Sequence, residues 1–207
     1  MKKVLALMGS PRKNKYTDKL LDFLLDGISE LKYDINKLYL RDLQINHCTG
    51  CDYCGRTSNC IFTDDMQEIY DYIDNSDIIV FAAPLYFNSI NGLSKNVIDR
   101  CQRYWSIKYT LGQEYKRNQG RKGIFISVGG APFTHNQFAG TIPIMDFFFK
   151  AINAEYVGNY FLSNTDKINI EDNLDIKHEL NNIGKDIDNL KNFYLHRQKF
   201  LDKLLYV

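Results

Sequence analysis

The amino-acid sequence predicts an open parallel α/β sheet with helices on both faces. Asp77–Pro84 is the clearest strand, because it is apolar on both faces as a central parallel strand should be. Val4–Met8 is a shorter apolar run of the same kind. Further strand patterns alternate with helical patterns along the chain, which is typical of parallel sheets with helical crossovers.

Five strands and five helices are predicted in alternating order. The strands are Val4–Met8, Ile35–Leu40, Asp77–Pro84, Gly123–Val128 and Tyr156–Leu162. The helices are Asp18–Leu31, one that opens at Asp64, Leu93–Trp105, Ile142–Ala154 and a C-terminal helix at about 174–205. No repeat, low-complexity tract or linker interrupts them, so we expect one domain over residues 1–207.

The composition disfavours several classes of function. The 26 basic and 25 acidic residues give a net charge of +1, so bulk electrostatics do not favour nucleic acid or a membrane surface. No apolar run approaches the ~20 residues of a membrane-spanning helix, and no signal-peptide pattern precedes the first strand. We therefore expect a cytoplasmic protein. Apolar residues late in the chain predict a homodimer or homotetramer, Phe200, Leu201, Leu204 and Leu205 among them.

The segment after the first strand predicts a phosphate-binding loop. The strand ends at Gly9 and a helical pattern begins near Thr17, so backbone N–H groups and a helix N-terminus would converge on an anion. Ser10 and Asn14 add side-chain donors, and Arg12 adds positive charge. Neither a P-loop nor a G-x-G-x-x-G fingerprint is present. The alternative is an ordinary strand-to-helix turn with solvated basic residues.

Two further loops belong to the same predicted edge of the sheet. Residues 84–92 follow the third strand and residues 128–138 follow the fourth, and both loops are rich in Gly, Ser, Asn or aromatic residues. In open parallel sheets, ligands bind outside the carboxyl ends of the strands. The three loops therefore predict a pocket for a phosphate and a flat ring.

Two of these motifs resemble the flavodoxin-like NAD(P)H-dependent FMN reductase family. The first is Gly9-Ser10-Pro11-Arg12-Lys13-Asn14 with Thr17, and the second is Pro84-Leu85-Tyr86-Phe87-Asn88-Ser89 with Lys95 and Asp99-Arg100 downstream. The resemblance spans roughly residues 3 to 160 and implies a five-stranded parallel sheet in the order 2-1-3-4-5. It departs at Asn91, where that family often has a proline.

The resemblance implies FMN held without a covalent bond. The residues that would face the phosphate are Ser10, Arg12, Asn14 and Thr17. The residues that would face the isoalloxazine ring are Pro84, Leu85, Tyr86, Phe87, Asn88, Gly129 and Gly130. Tyr86, Phe87, Trp105 and Phe133 are candidates to stack on the ring, with core or rim packing as the alternative for each. No catalytic side chain is expected, because the flavin carries the chemistry.

A long loop at 41–63, after the second strand, carries four cysteines. Cys48, Cys51, Cys54 and Cys60 are spaced so that successive thiolates can turn toward a common centre. Three interpretations stay open: an iron–sulfur cluster, a loop of free thiols, and structural zinc, which is disfavoured because paired C-x2-C knuckles are absent. The motif resembles that of the iron–sulfur flavoproteins, which implies a [4Fe–4S] cluster.

Three functions are compatible with these motifs. The leading hypothesis is an FMN-dependent oxidoreductase that passes electrons from NAD(P)H, or from a reduced carrier such as ferredoxin, to a quinone, flavin, oxygen or protein acceptor. The second is a non-enzymatic electron-transfer iron–sulfur flavoprotein. The third, of a different class, is a sensor that binds a nucleotide or phospho-ligand at the same loop. No motif selects the acceptor or the nicotinamide.

Overall fold

The centre of the protein is a seven-stranded, mostly parallel sheet, seen in a computed structural model that describes residues 1–116, 119–132, 136–171 and 173–197. The strands are β1 Lys2–Met8, β2 Tyr33–Tyr39, β3 Ile78–Tyr86, β4 Ser89–Ile90, β5 Lys122–Val128, β6 Glu155–Leu162 and β7 Phe193–Arg197. Their order across the sheet is β2-β1-β3-β5-β6-β7, and β4 pairs antiparallel with the end of β3.

The α/β class and the flavodoxin-like strand order are confirmed. The five predicted strands correspond to β1, β2, β3, β5 and β6, which lie in the predicted order 2-1-3-4-5 and pair in parallel. The predicted count of five is wrong for the described chain, because β4 and β7 are additional. β4 is a two-residue return on β3, and β7 extends the sheet beyond β6.

Helices cover both faces of the sheet. They are α1 Tyr16–Leu25, α2 Cys54–Thr57, α3 Met66–Asn75, α4 Gly92–Arg100, α5 Gln102–Trp105, α6 Ile142–Ala151 and α7 Leu174–Lys185. Alternate residues of β1 enter two separate cores: Leu5 and Leu7 join the core beneath α3, α4 and α6, whereas Val4 and Ala6 join the core beneath α1 and α7. This double burial explains why the central strands are apolar throughout.

Two glycines allow the end of α1 and helix α7 to cross at backbone contact. A Cβ on Gly184 would lie 2.1 Å from the carbonyl oxygen of Leu24, and a Cβ on Gly27 would lie 2.1 Å from that of Asn181. The predicted first helix therefore ends before Leu31, since α1 stops at Leu25 where this crossing begins.

The predicted C-terminal helix of about 174–205 is wrong over residues 186–197, and its predicted residues 198–205 lie outside the described residues. Helix α7 ends at Lys185, and Phe193–Arg197 forms β7, parallel to β6. The Phe193 ring lies 2.2 Å from where a Cβ on Gly158 would be, so β7 pairs where β6 carries no side chain. The apolar residues at 200–207 lie outside the described residues, so the homodimer or homotetramer stays a prediction. Within the described ranges, every helix is too short or too polar to cross a bilayer.

Candidate functional site

The three predicted loops lie at one edge of the sheet. Met8 pairs with Ala82 and Pro84 pairs with Val128, so β1, β3 and β5 end side by side. The backbone N–H of Gly9 donates to the Ala82 carbonyl oxygen at 2.7 Å, which continues the sheet into the first loop. The three loops therefore share the edge of the sheet at which ligands of open parallel sheets bind, the carboxyl ends of neighbouring parallel strands.

The first loop leads into an uncapped helix N-terminus. Ser10 is buried, and its hydroxyl accepts the backbone N–H of Arg12 at 3.1 Å. Asn14 adopts a left-handed conformation, with φ of 57°, and Thr17 is buried in the first turn of α1. Lys15, the N-cap residue, provides no side-chain cap for that turn. The first-turn N–H groups are thus arranged to receive an external anion.

A buried acidic residue beside this N-terminus escaped the sequence analysis. Asp18 is completely buried, and it accepts the backbone N–H of Asn14 at 2.7 Å and the ammonium of Lys37 at 2.5 Å. Burial opposes the charge on Lys37, but its hydrogen bonds to Asp18, Asp22 and Tyr39 outweigh this effect and raise the pKa of Lys37. Lys37 therefore stays charged and, shared between Asp18 and Asp22, reduces the repulsion that Asp18 would exert on a phosphate.

Asn91 joins the second loop to the first. Its side-chain amide donates to the Gly9 carbonyl oxygen at 2.8 Å, and the Ser94 hydroxyl donates to the same oxygen at 3.3 Å. A Cβ on Gly9 would lie 2.0 Å from Ser94 Oγ, so this approach requires glycine. A proline at Asn91 could not form the first bond. The Oδ1 atom of Asn91 is buried and has no partner within the described chain.

The second loop is a tight hairpin that exposes aromatic side chains. Tyr86 pairs with Ser89, and the two residues between them, Phe87 and Asn88, have φ of 50° and 56°. Left-handed conformations at both central positions are typical of a type I′ turn. The Phe87 side chain is fully exposed and Tyr86 is 43% exposed.

The other two stacking candidates are not placed at this hairpin. Trp105 lies on α5, and its ring centroid is 4.2 Å from that of Tyr109 and 6.2 Å from that of Phe147. Phe133 falls outside the described residues. Tyr86 and Phe87 are therefore the described candidates that lie on a predicted flavin loop.

The third loop lies close to the second loop and to the segment that follows β6. A Cβ on Gly129 would lie 2.4 Å from Gln137 Nε2 and 3.5 Å from Leu85 of the second loop. A Cβ on Gly130 would lie 2.7 Å from the carboxylate oxygens of Asp166, whose backbone N–H donates to the Gly130 carbonyl at 3.2 Å. The predicted glycines thus let the main chain approach the other loops.

The four cysteines of the long loop line one cavity of about 280 Å³, together with Arg100 and Arg103. All are free thiols; Cys48 and Cys51 are exposed, whereas Cys54 and Cys60 are half-buried. Among the described residues, no three Cys, His, Asp or Glu side chains converge on one metal ion. Zinc holds each thiolate at ~2.3 Å and would need such convergence.

A buried ion pair fastens both ends of this loop. Arg100 Nη1 and Nη2 donate to the two carboxylate oxygens of Asp64 at 2.7 and 3.1 Å, and the side chains are 1% and 7% exposed. Asp64 also accepts the backbone N–H of Asn46 at 2.9 Å. Burial opposes the negative charge, but hydrogen bonds from Arg100 and Asn46 outweigh it and lower the pKa of Asp64 to about 2.

Comparison with known proteins identifies the family of this chain. A family model described as NADPH-dependent FMN reductase matches residues 2–163. An iron–sulfur flavoprotein of Archaeoglobus fulgidus is 32% identical over 102 residues, which make up 49% of this chain and 46% of that protein. An iron–sulfur flavoprotein of Clostridioides difficile is 38% identical over 100 residues, or 47% and 44% of the two chains. The chain spans about half the length of these relatives.

The fold is shared with solved flavin enzymes. An FMN-dependent NADH-azoreductase of Bacillus anthracis, solved with FMN, aligns with a TM-score of 0.65 at 15% identity, over 90% of this chain and 99% of that chain. At these identities the likeness shows the fold alone. The resemblance drawn from the two loops is confirmed by the family model, which covers more than half of the chain.

Proposed function

We propose that this chain, which belongs to the NADPH-dependent FMN reductase family, is an FMN-dependent oxidoreductase that takes electrons from NAD(P)H or from a reduced carrier such as ferredoxin. The acceptor would be a quinone, a flavin, oxygen or another protein. One observation carries the proposal: the three loops form a single polar edge, in which Asn91 bonds to Gly9 of the first loop and Leu85 lies beside Gly129 of the third.

The residues of the first loop fit a flavin phosphate. FMN, when bound, accepts a hydride from nicotinamide and releases electrons singly or in pairs. The chain would hold the phosphate through Ser10, Arg12, Asn14 and Thr17, around the turn of α1 that Lys15 leaves uncapped. The ammonium of Lys37, which Asp18 shares with Asp22, would offset part of the negative charge of Asp18 at this position.

The second and third loops would orient the ring. The proposed contacts are Pro84, Leu85, Tyr86, Phe87, Asn88, Gly129 and Gly130. Asn91 Oδ1 supports a ligand here, because buried polar atoms in folded proteins nearly always have a partner and this one has none in the described chain. The hairpin and glycines would thus position the ring, while its chemistry stays that of the cofactor.

We further propose that Cys48, Cys51, Cys54 and Cys60 hold a [4Fe–4S] cluster, as the names of the relatives suggest for those proteins. The cavity lined by all four cysteines supports this proposal, as does the unpartnered buried Nε of Arg100 beside it. The same cavity favours the second candidate function, an electron-transfer iron–sulfur flavoprotein that is reduced by a protein carrier rather than by NAD(P)H.

An anaerobic spectrum with metal and flavin content tests both proposals. We expect flavin bands that NADH or NADPH bleaches, and about four iron and four sulfide per chain. Failure to bind FMN at micromolar concentration would contradict the flavin site. Bleaching by reduced ferredoxin but by neither nicotinamide would select the electron carrier. Full flavin reduction in iron-free protein would contradict the cluster. Light scattering of the same sample tests the predicted homodimer or homotetramer.

A further inference from the structure

Arg100 is a buried arginine whose guanidinium is only partly engaged. It is the last residue of α4 and lines the cysteine cavity. Nη1 and Nη2 bind the Asp64 carboxylate, and Nη1 also donates to the Asn46 carbonyl oxygen at 2.8 Å. One edge of the guanidinium is therefore fixed by the segments that enter and leave the cysteine loop.

The Nε–H group of Arg100 has no acceptor within the described chain, although it is buried. A buried donor left unsatisfied is costly, so it indicates that an acceptor is supplied from elsewhere. An arginine side chain does not lose its proton in proteins, so Nε–H is a permanent donor on a permanent positive charge.

The position of this donor relative to the cysteines is set by the same bonds that close the loop. Asp64 lies four residues after Cys60, and Asn46 lies two residues before Cys48. Both bind Arg100, and Asp64 also accepts the Asn46 backbone N–H. The guanidinium and the cysteine loop are thus held as one unit, and the packing of Arg100 on the Phe62 ring at 5.1 Å supports it from a third side.

We propose that Arg100 donates its Nε–H to a sulfur of the group held by the four cysteines and thereby raises the reduction potential of that group. This inference rests on the proposed [4Fe–4S] cluster of the same cavity. Reduction adds one electron from the reduced flavin, breaks no bond and leaves Arg100 protonated. A hydrogen bond and a positive charge at sulfur favour the more negative, reduced form, since both are known to set cluster potentials.

Two variants in anaerobically reconstituted protein test the proposal by the midpoint potential of the cluster. R100M removes the donor and the charge, and we expect a ~tenfold lower equilibrium constant for reduction, which is about 59 mV for one electron. R100K keeps the charge but cannot form the bidentate bond to Asp64. We expect it to lower the same equilibrium constant for reduction roughly threefold. Lys150→Gln breaks an exposed pair on α6 and should leave the potential unchanged.

The outcomes separate this inference from the proposed function. Iron-loaded R100M and R100K with the wild-type potential would contradict the role of Arg100 while leaving the cluster in place. Loss of iron from both variants would also contradict it, because Arg100 would then only anchor the loop. If R100M alone fails to fold or bind iron, the midpoint potential of R100K tests the proposal: a lowered potential supports it and the wild-type potential contradicts it. Wild-type protein that takes up no iron would overturn the cluster, and this inference with it, without affecting the flavin site.

Discussion

The flavin loops and the cysteine loop are held in contrasting ways. The first two flavin loops are short and meet at buried polar contacts, Asn91 and Ser94 on the Gly9 carbonyl. The cysteine loop is fixed at its ends by Asp64, whereas Cys48 and Cys51 in its middle are exposed. The loops of the proposed flavin site are therefore held by contacts with one another, whereas the exposed cysteines would take their final positions with the group they bind.

The most complete test of this contrast removes the cysteine ligands. In a variant with Cys48, Cys51, Cys54 and Cys60 replaced by serine, we expect complete loss of bound iron. The FMN dissociation constant should change by less than ~threefold, or about 0.7 kcal/mol, because the described bonds from the cysteine loop to the first loop come from Arg41 and Asp42, which the variant keeps. Iron analysis and fluorescence titration measure the two effects. Loss of FMN binding would show that the regions are coupled.

The next largest effect concerns the loop ends. Asp64→Asn leaves Arg100 buried without a counter-ion, and we expect a loss of ~3–5 kcal/mol in the free energy of unfolding. Denaturation in urea measures it. Asp99→Asn, which breaks an exposed pair with Lys95 on α4, is the matched control and should cost less than ~1 kcal/mol. Equal effects in the two variants would show that the loop ends are not a special anchor.

The same ion pair gives a pH dependence. The pKa of Asp64 is about 2 in the folded protein, below the unfolded value of ~3.9. Its contribution to stability is therefore complete above pH ~4 and is lost as the pH falls toward 2. Urea denaturation between pH 2 and 5 should show this loss in wild-type protein and a smaller loss in Asp64→Asn. Parallel profiles would contradict the assignment.

A smaller effect is expected at the junction of the flavin loops. Gly9→Ala would bring a methyl group against Ser94 Oγ and within 3.0 Å of the Ala82 carbonyl oxygen, so the loop must shift. We expect a ~tenfold weaker FMN affinity, or about 1.4 kcal/mol. Adding Ser94→Ala removes the closest atom and should restore part of the affinity. If the double variant binds FMN no more tightly than Gly9→Ala, the clash with Ser94 is not the cause of the weaker affinity.

The smallest expected effect is at the rim of the phosphate loop. Arg12 is exposed, so Arg12→Gln should weaken FMN binding only ~threefold at low salt, and less at high salt. Arg56→Gln on α2, equally exposed but in the cysteine loop, provides the control and should leave the affinity unchanged. Fluorescence titration at two salt concentrations measures both. An effect of Arg12→Gln that is independent of salt would argue against a charge interaction.

Sequence patterns predicted the centre of the molecule better than its edges. β3 is apolar on both faces, so its burial could be recognised without any neighbour. β7 could not, because Leu190 and Tyr194 continue the spacing of α7, and pairing depends on the absence of a side chain at Gly158. Because the contact of Phe193 with Gly158 depends on the absence of a Cβ in a distant strand, the sequence around β7 does not indicate it.

The candidate site shows the same division. Gly9 and the polar loop after it are contiguous in sequence and follow a strand, so their position at the end of β1 could be predicted. The Asp64–Arg100 pair joins residues 36 positions apart, and Asp64 alone looked like the opening of a helix. Likewise the pairing of Asp18 with Lys37 depends on how β2 lies beside α1, which no local sequence pattern indicates.

The conformation of Phe87 lowers the stability of the protein. A left-handed backbone costs most L-residues ~1–2 kcal/mol, and the exposed ring recovers no burial energy. Phe87→Gly should therefore raise the free energy of unfolding by about 1 kcal/mol, measurable by urea denaturation. If Phe87→Gly is more stable but reduces its electron acceptor more slowly, the exposed Phe87 ring contacts a substrate during turnover, and its position costs the protein stability.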